Sequence, residues 1–216
     1  MHFEPFALRG QVVRLEPLER HHADALLEAA GADRSTFGYT LVPHERTAME
    51  AYIGGLLADS EAGRAIPFVH CRPDGDGDGD GGGPKVTVIG CTRFMNITWW
   101  PSRTTPAEVE IGGTWLRADA QRSGVNTEAK LLMLTHAFDQ WQVDRVAICT
   151  DARNEQSRRA IERLGAALEG VLRNHRPAAG EQSAAGASRD SAMYSIIPSE
   201  WPDIRDRLQR SLVRDG

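Results

Sequence analysis

Residues 108–141 restrict the fold more than any other stretch. The segment Glu108 to Leu116 (EVEIGGTWL) sets Val109, Ile111 and Trp115 on one face and Glu108, Glu110 and Thr114 on the other. That is the period of a strand buried on one side. From Val125 to Trp141 the apolar residues Leu131, Leu134, Phe138 and Trp141 recur at helical spacing, with Ala129 and Leu132 widening the stripe. A polar turn with a single glycine, Gly124, joins the two. A chain that passes from a strand through such a turn into a helix presents backbone N–H groups without intrahelical partners, at the positive end of the helix dipole. This is a ready site for an anion, most naturally phosphate. The adjacent Gly112 and Gly113 inside the strand predict a bulge or a close approach by ligand or backbone.

Composition narrows the class of protein that carries this unit. The net charge of −5 over 216 residues argues against a general nucleic-acid binder, which would show a basic excess. Cys71, Cys91 and Cys149 are odd in number and form no C-x-x-C, which fits a reducing compartment better than a disulfide scaffold. No apolar run approaches about 18 residues and no charged-then-apolar leader opens the chain. The expectation is a cytoplasmic protein without membrane contact or direct nucleic-acid binding.

Around the central unit the pattern predicts strands at 11–18, 65–71, 85–96, 144–150, 167–175 and 191–197, and helices at 19–30, 46–58, 154–164 and 199–212. Gly165 is placed to stop the 154–164 helix and Ser199 to cap the last one. Two stretches, 73–84 and 177–188, read as flexible hairpin loops. Asp74, Asp76, Asp78 and Gly79 match the opening of a calcium loop, but its twelfth position is Lys85 where a bidentate Glu is required, so no metal is expected. Neither loop separates blocks able to bury their own cores. Residues 1–216 therefore read as one α/β (α+β) domain, with a mixed sheet of about seven strands and helices on both faces.

This order of elements resembles the GNAT superfamily of acyl-CoA N-acyltransferases. QRSGVN at 121–126 is similar to the family's pyrophosphate turn, departing from it at Asn126, where a small residue is usual. The strings QRSGVNTEAK, DARNEQSRRAIERLGA, LEGVLRNH and RDSAMYSIIPSEW resemble in particular the Rim-type ribosomal-protein N-terminal acetyltransferases. The resemblance implies a single GNAT-like domain and acetyl-CoA as co-substrate. The acceptor would be an amine, on a protein N-terminus or a small molecule. It leaves room for a coenzyme-A-binding sensor without catalysis, and for a homodimer joined through Trp141 or the closing helix with Trp201.

It also implies roles. Gln121, Arg122, Ser123, Gly124, Val125, Asn126 and Thr127 would hold the pyrophosphate. The pantetheine arm would enter between the 108–116 and 144–150 strands, with N–H groups around Trp115 and Leu116 aimed at the thioester carbonyl. Asn154 would contact pantetheine or simply cap its helix, and Ser157, three residues on, would serve the departing thiolate as acid. Glu110 is the expected general base, or else a strand carboxylate paired with an arginine; Glu108 is its rival. Tyr39, Trp99, Trp100, Arg173 and His175 are candidate acceptor contacts, the aromatics being equally suited to packing.

Overall fold

The structure is a computed structural model that describes residues 3–78, 84–180, 184 and 186–215. Eight strands form one sheet in the order β1-β2-β3-β4-β5-β6-β8-β7. They are β1 (Leu8–Arg9), β2 (Arg14–Pro17), β3 (Ala65–Asp78), β4 (Pro84–Thr98), β5 (Glu108–Leu116), β6 (Arg145–Asp151), β7 (Ala167–Pro177) and β8 (Ser188–Ile196). The helices are α1 (Ala23–Gly31), α2 (Arg46–Glu61), α3 (Gly124–Thr135), α4 (Glu155–Leu164) and α5 (Trp201–Asp215). The eighth strand, beyond the seven expected, is the two-residue β1. Residues 79–83, 181–183 and 185 fall outside the described part. So do the side chains of Asp74, Asp76 and Asp78, and with them most of the calcium-like loop.

Helices cover both faces, but unevenly. α1 and α2 bury Leu26, Met49 and Ile53 against Val69, Cys91 and Trp115, over the β3–β4 half of one face. α3, α4 and α5 bury Ala129, Met133, Ile161, Leu164, Ile204 and Leu208 against Val109, Ile111, Val146, Ile148 and Tyr194 on the other. Registered partners share a face, and Met95 opposite Glu110 carries the α1–α2 face across to β5. On β5 to β8 that face holds Glu110, Cys149, Asp151, Ser191 and Arg189, with no helix of the described residues upon it.

The strand and helix ends follow local chemistry. α3 leaves α-helical geometry at His136, where a π-helical turn, His136–Gln140, lets Trp141 N–H donate to the His136 carbonyl at 3.1 Å. Trp141 then packs on Phe3, Phe6 and Phe94, and Trp201 is buried against Phe138. Both tryptophans fill the core role. Gly165 ends α4 with φ +93°, where a Cβ would stand 2.0 Å from Arg207 Nη2. The last helix begins at Trp201, and Glu200, not Ser199, supplies a side-chain acceptor there, taking the Ile197 N–H at 3.1 Å.

α3 also buries two charged residues. The Glu128 carboxylate accepts the N–H groups of Gln11, Val12 and Val13 at 2.8, 2.8 and 2.9 Å, tying the β1–β2 turn to the helix. Lys130 forms no ion pair among the described residues. Its Nζ donates to Thr114 Oγ1 at 2.6 Å, and Thr114 and Thr92 Oγ1 lie 2.8 Å apart. Burial pushes the ammonium down from 10.5 to about 7. Neighbouring His70 is held neutral, pushed down to about 3 by burial with the Lys130 charge adding to it. Unfolded, Lys130 keeps its proton up to about pH 10.5, whereas folded it loses it near 7. The cost of burying the charge is therefore complete at and below pH 7, and is relieved as pH rises from there to about 10.5, with a slope of up to about 1.4 kcal/mol per pH unit. Urea unfolding of Lys130→Met should remove that slope and show the variant more stable at pH 7 by about 2 kcal/mol, since the threonines satisfy each other. An equal slope in both proteins would contradict this.

Candidate active site

β5 and β6 form the sheet's parallel pair, and they separate soon after they meet. Their pairing runs from Glu108 opposite Arg145 to Glu110 opposite Ala147 and stops there. From Ile111 to Leu116 on β5, and from Ile148 to Asp151 on β6, the facing edges have no partner in each other, so a wedge opens between them. β5 keeps its pairing with β4 on its other side, through Gly112 opposite Arg93 and Trp115 opposite Cys91. A register shift lies between those pairs, and Gly113 there has φ +59°. A Cβ on it would stand 2.5 Å from Arg93 Nη1. The expected bulge is present, and its left-handed backbone calls for glycine, the crowding atoms being only the far end of the Arg93 side chain.

The α3 entrance stands at the open end of the wedge. Ser123 is its N-cap residue, yet its side chain makes no cap: the hydroxyl donates to the Ala120 carbonyl at 2.7 Å. The first-turn N–H groups are thus left open to an external acceptor. Arg122 takes the left-handed conformation, φ +58°, and is exposed. Asn126 and Thr127 are half-buried and form no side-chain hydrogen bond among the described residues. Gly124 faces elsewhere, because a Cβ on it would lie 3.3 Å from Leu212 of α5. Val125, Trp115 and Leu116 have buried side chains, so these residues offer the wedge only backbone. Gln121 ties the turn together, its amide donating to Thr36 Oγ1 at 2.8 Å and the Leu116 carbonyl at 2.9 Å.

α4 starts on the far side of the wedge. Asn154 caps it, accepting the Ser157 N–H at 3.0 Å, and the Ser157 hydroxyl has no partner among the described residues. Gln156 reaches Gln121 Oε1 at 3.4 Å, so the two helix entrances flank one mouth.

The helix-free face forms the floor beside the wedge. Glu110, 4% exposed, accepts both Arg176 Nη1 at 2.9 Å and Nη2 at 2.7 Å, as well as the Asn96 amide at 2.7 Å and the Cys149 thiol at 3.3 Å. Burial alone would raise its pKa; the Arg176 hydrogen bonds and charge, with Asn96 and Cys149, outweigh that and hold it below the usual value. Of the two readings open from sequence, the geometry is that of the arginine-paired carboxylate. Cys149 is pushed up to about 11 by burial and the Glu110 charge, so it stays a thiol at neutral pH. Asp151 is held by Arg153, whose guanidinium lies 5.1 Å from the Tyr39 ring. Tyr39 thereby joins the α1–α2 loop to the start of α4. His175 Nδ1 is buried without a partner, and burial and Arg176 lower its pKa, so the ring is neutral at pH 7.

The other expected contacts lie away from the wedge. Trp99 packs at a tilt on Phe3, with ring centroids 5.6 Å apart, beyond the closed end of the β5–β6 pair, and Trp100 is exposed in the turn that follows β4. Glu108 pairs with Arg145 at 3.1 Å at that same closed end. Arg173 is exposed on the edge strand β7. No sequence pattern singles out Arg176, Asn96, Arg153 or Arg189. Arg176 lies one residue past the predicted strand end at 175, and strand alternation continued to Pro177 reaches it.

A family model described as an acetyltransferase (GNAT) domain matches residues 13–167. Over 89 residues the chain is 33% identical to the "Putative ribosomal N-acetyltransferase YdaF" of Bacillus subtilis, a match spanning 41% of this chain and 45% of that protein. The crystal structure of a "putative acetyltransferase" from T. thermophilus aligns over 98% of this chain and all of its own, at 32% identity and a TM-score of 0.76. Mycobacterium smegmatis RimJ, solved with CoA-disulfide, shares the fold at 22% identity and a TM-score of 0.71, over 96% and 95% of the two chains. With its uncapped helix entrance beside two parting strands, this chain belongs to the GNAT acetyltransferase family.

Proposed function

We propose that the protein transfers an acetyl group from acetyl-CoA to a primary amine by direct attack in a ternary complex, with an α-amine as the acceptor. The observation that carries this is the wedge between β5 and β6 opening at the uncapped entrance of α3. Unpaired amides at Arg122 to Thr127 suit a pyrophosphate, and parted strand edges suit an extended amide-bearing arm that completes their pairing. The acyl end would then lie near Glu110 and Cys149, beside the polar floor. The CoA-disulfide bound to RimJ and the ribosomal N-acetyltransferase naming of YdaF support the same reading.

The amine nitrogen attacks the thioester carbonyl carbon, the C–S bond breaks, the amine loses a proton and the thiolate gains one. Because Cys149 stays protonated, it is poorly suited to carry the acetyl group first. Glu110 is likewise poorly suited to take the proton, its lone pairs being committed to Arg176 and Asn96. We assign it the part of holding Arg176 and the floor. An α-amine asks little of a base, since with a pKa near 8 roughly a tenth is neutral at pH 7. Ser157, whose hydroxyl has no partner among the described residues and lies across from the α3 entrance, is the candidate proton donor to the thiolate.

Thiol release from acetyl-CoA, measured over peptides and small amines, tests the reading. Ser157→Ala should lower kcat about tenfold or more while the KM for acetyl-CoA changes little. Acetyl-CoA that neither binds nor releases thiol with any amine would overturn the proposal. Binding without release would leave only a coenzyme-A-binding role.

A further inference from the structure

Among the described residues, the polar floor carries one more cation than its carboxylates pair with. Glu110 is matched by Arg176 and Asp151 by Arg153. Arg189, on β8 directly across from Arg176 on β7, forms no ion pair among the described residues. Its Nη2 lies 3.9 Å from Cys149 Sγ, and its Nε is buried without a hydrogen-bond partner. Asp190, next in the chain, alternates to the opposite face and accepts the Asn174 N–H at 2.8 Å. Two further polar atoms on this hairpin are buried and unpartnered: the Ser191 hydroxyl, on the same face as Arg189 and fully buried, and His175 Nδ1.

Each of these features costs stability as it stands. Like charges directly opposite on neighbouring strands repel, and a buried donor without an acceptor forfeits its hydration. One planar anion beside Arg189 would relieve both, because a guanidinium fork matches a carboxylate with two parallel N–H···O bonds. Neither Glu110 nor Asp151 supplies that anion: Arg176 and Arg153 hold them, and Arg189 acts on Asp151 only through its charge, beyond ion-pair distance.

We propose that Arg189 anchors a carboxylate carried by the amine acceptor, so that the preferred substrates bear a carboxylate a few ångströms from the reacting nitrogen. This rests on the acetyl-transfer reading above and specifies its acceptor. The carboxylate has two possible sources, the α-carboxylate of a free amino acid or an acidic side chain in the first two residues of a peptide. Ser191, two residues on along the same face, is the neighbouring group suited to complete its hydrogen bonding.

The test uses matched pairs: glycine against glycinamide for the first source, and the peptides Ser-Glu-Ala-amide against Ser-Gln-Ala-amide for the second. Binding to the acetyl-CoA-loaded protein is measured by calorimetry, and KM and kcat by thiol release. In the wild type, the carboxylate member of at least one pair should bind about tenfold more tightly, equivalent to about 1.4 kcal/mol, with the difference in KM and not in kcat. The pair that responds identifies the source. Arg189→Gln should bring that ratio close to one with the acetyl-CoA KM unchanged, and Arg189→Lys should restore part of it. Equal binding within both pairs in the wild type overturns the proposal, whether or not the variants fold. A preference that survives in Arg189→Gln overturns it as well. Because the binding arm needs no turnover, absence of thiol release counts against acetyl transfer alone.

Discussion

Glu110→Gln should lower the unfolding free energy by about 3 kcal/mol, the low end of the range for breaking a buried ion pair from one side. The low end applies because the Arg176 side chain keeps 24% of its area in water. The substitution removes the charge facing a guanidinium that has no second carboxylate among the described residues, and an amide can accept from only one of the two Nη groups that now bind. Glu110→Leu combined with Arg176→Met should recover most of the loss, because the desolvation of both charges disappears with the pair. Acid should act like the single substitution. The folded pKa of Glu110 is depressed, so the pair's contribution is complete above about pH 4.5 and is lost as pH falls through the lower folded value. Urea titrations of the three proteins at pH 7, and of the wild type at successively lower pH below 4.5, measure both effects. A single variant as stable as the wild type would show that the pair contributes nothing. If Glu110→Gln instead folds normally and loses its neutral-pH activity, with full recovery at high pH, the carboxylate is the base after all.

The sequence made some parts of this site legible and hid others, and the division follows the range of the forces. β5 appears at the predicted residues, since its two-residue period is local and its glycine pair marks its own bulge. Gly165 and Asn154 end and begin α4 as expected, because capping is decided within a single turn. β3 runs well past its predicted end at 71, to Asp78, through residues rich in Asp and Gly, whereas β4 starts at Pro84, beside its predicted start at 85. Beyond 71 the strand is templated by its neighbour and not by its own pattern. α3 ends sooner than its apolar stripe, because the π-helical turn re-aims the stripe at Trp141. Trp99 reads as a pocket wall because an aromatic in a turn carries no direction of its own, and its partner Phe3 lies at the far end of the chain. The Glu110–Arg176 pair joins residues 66 apart and depends on the order β5-β6-β8-β7, which no local pattern encodes. Arg189 is hidden for the same reason: its lack of a partner is visible only once its neighbours are in place.

Ser123→Asp probes the α3 entrance with two effects of opposite sign. An N-cap Asp can accept the first-turn N–H groups that Ser123 leaves open, and it adds a negative charge at the positive end of the dipole. Both should stabilise the free protein, by about 0.5–1 kcal/mol. The same carboxylate would occupy and repel the place of a pyrophosphate. At an effective dielectric intermediate between protein and water, that repulsion is worth about 2 kcal/mol, or roughly 30-fold in Kd. A merely structural entrance would show the first effect without the second. Calorimetric titration of acetyl-CoA into wild type and Ser123→Asp is therefore the most direct measurement. The expected result is a variant that melts higher than wild type when free and binds acetyl-CoA about 30-fold more weakly. Equal affinity in the two proteins would mean that the α3 entrance does not hold the coenzyme.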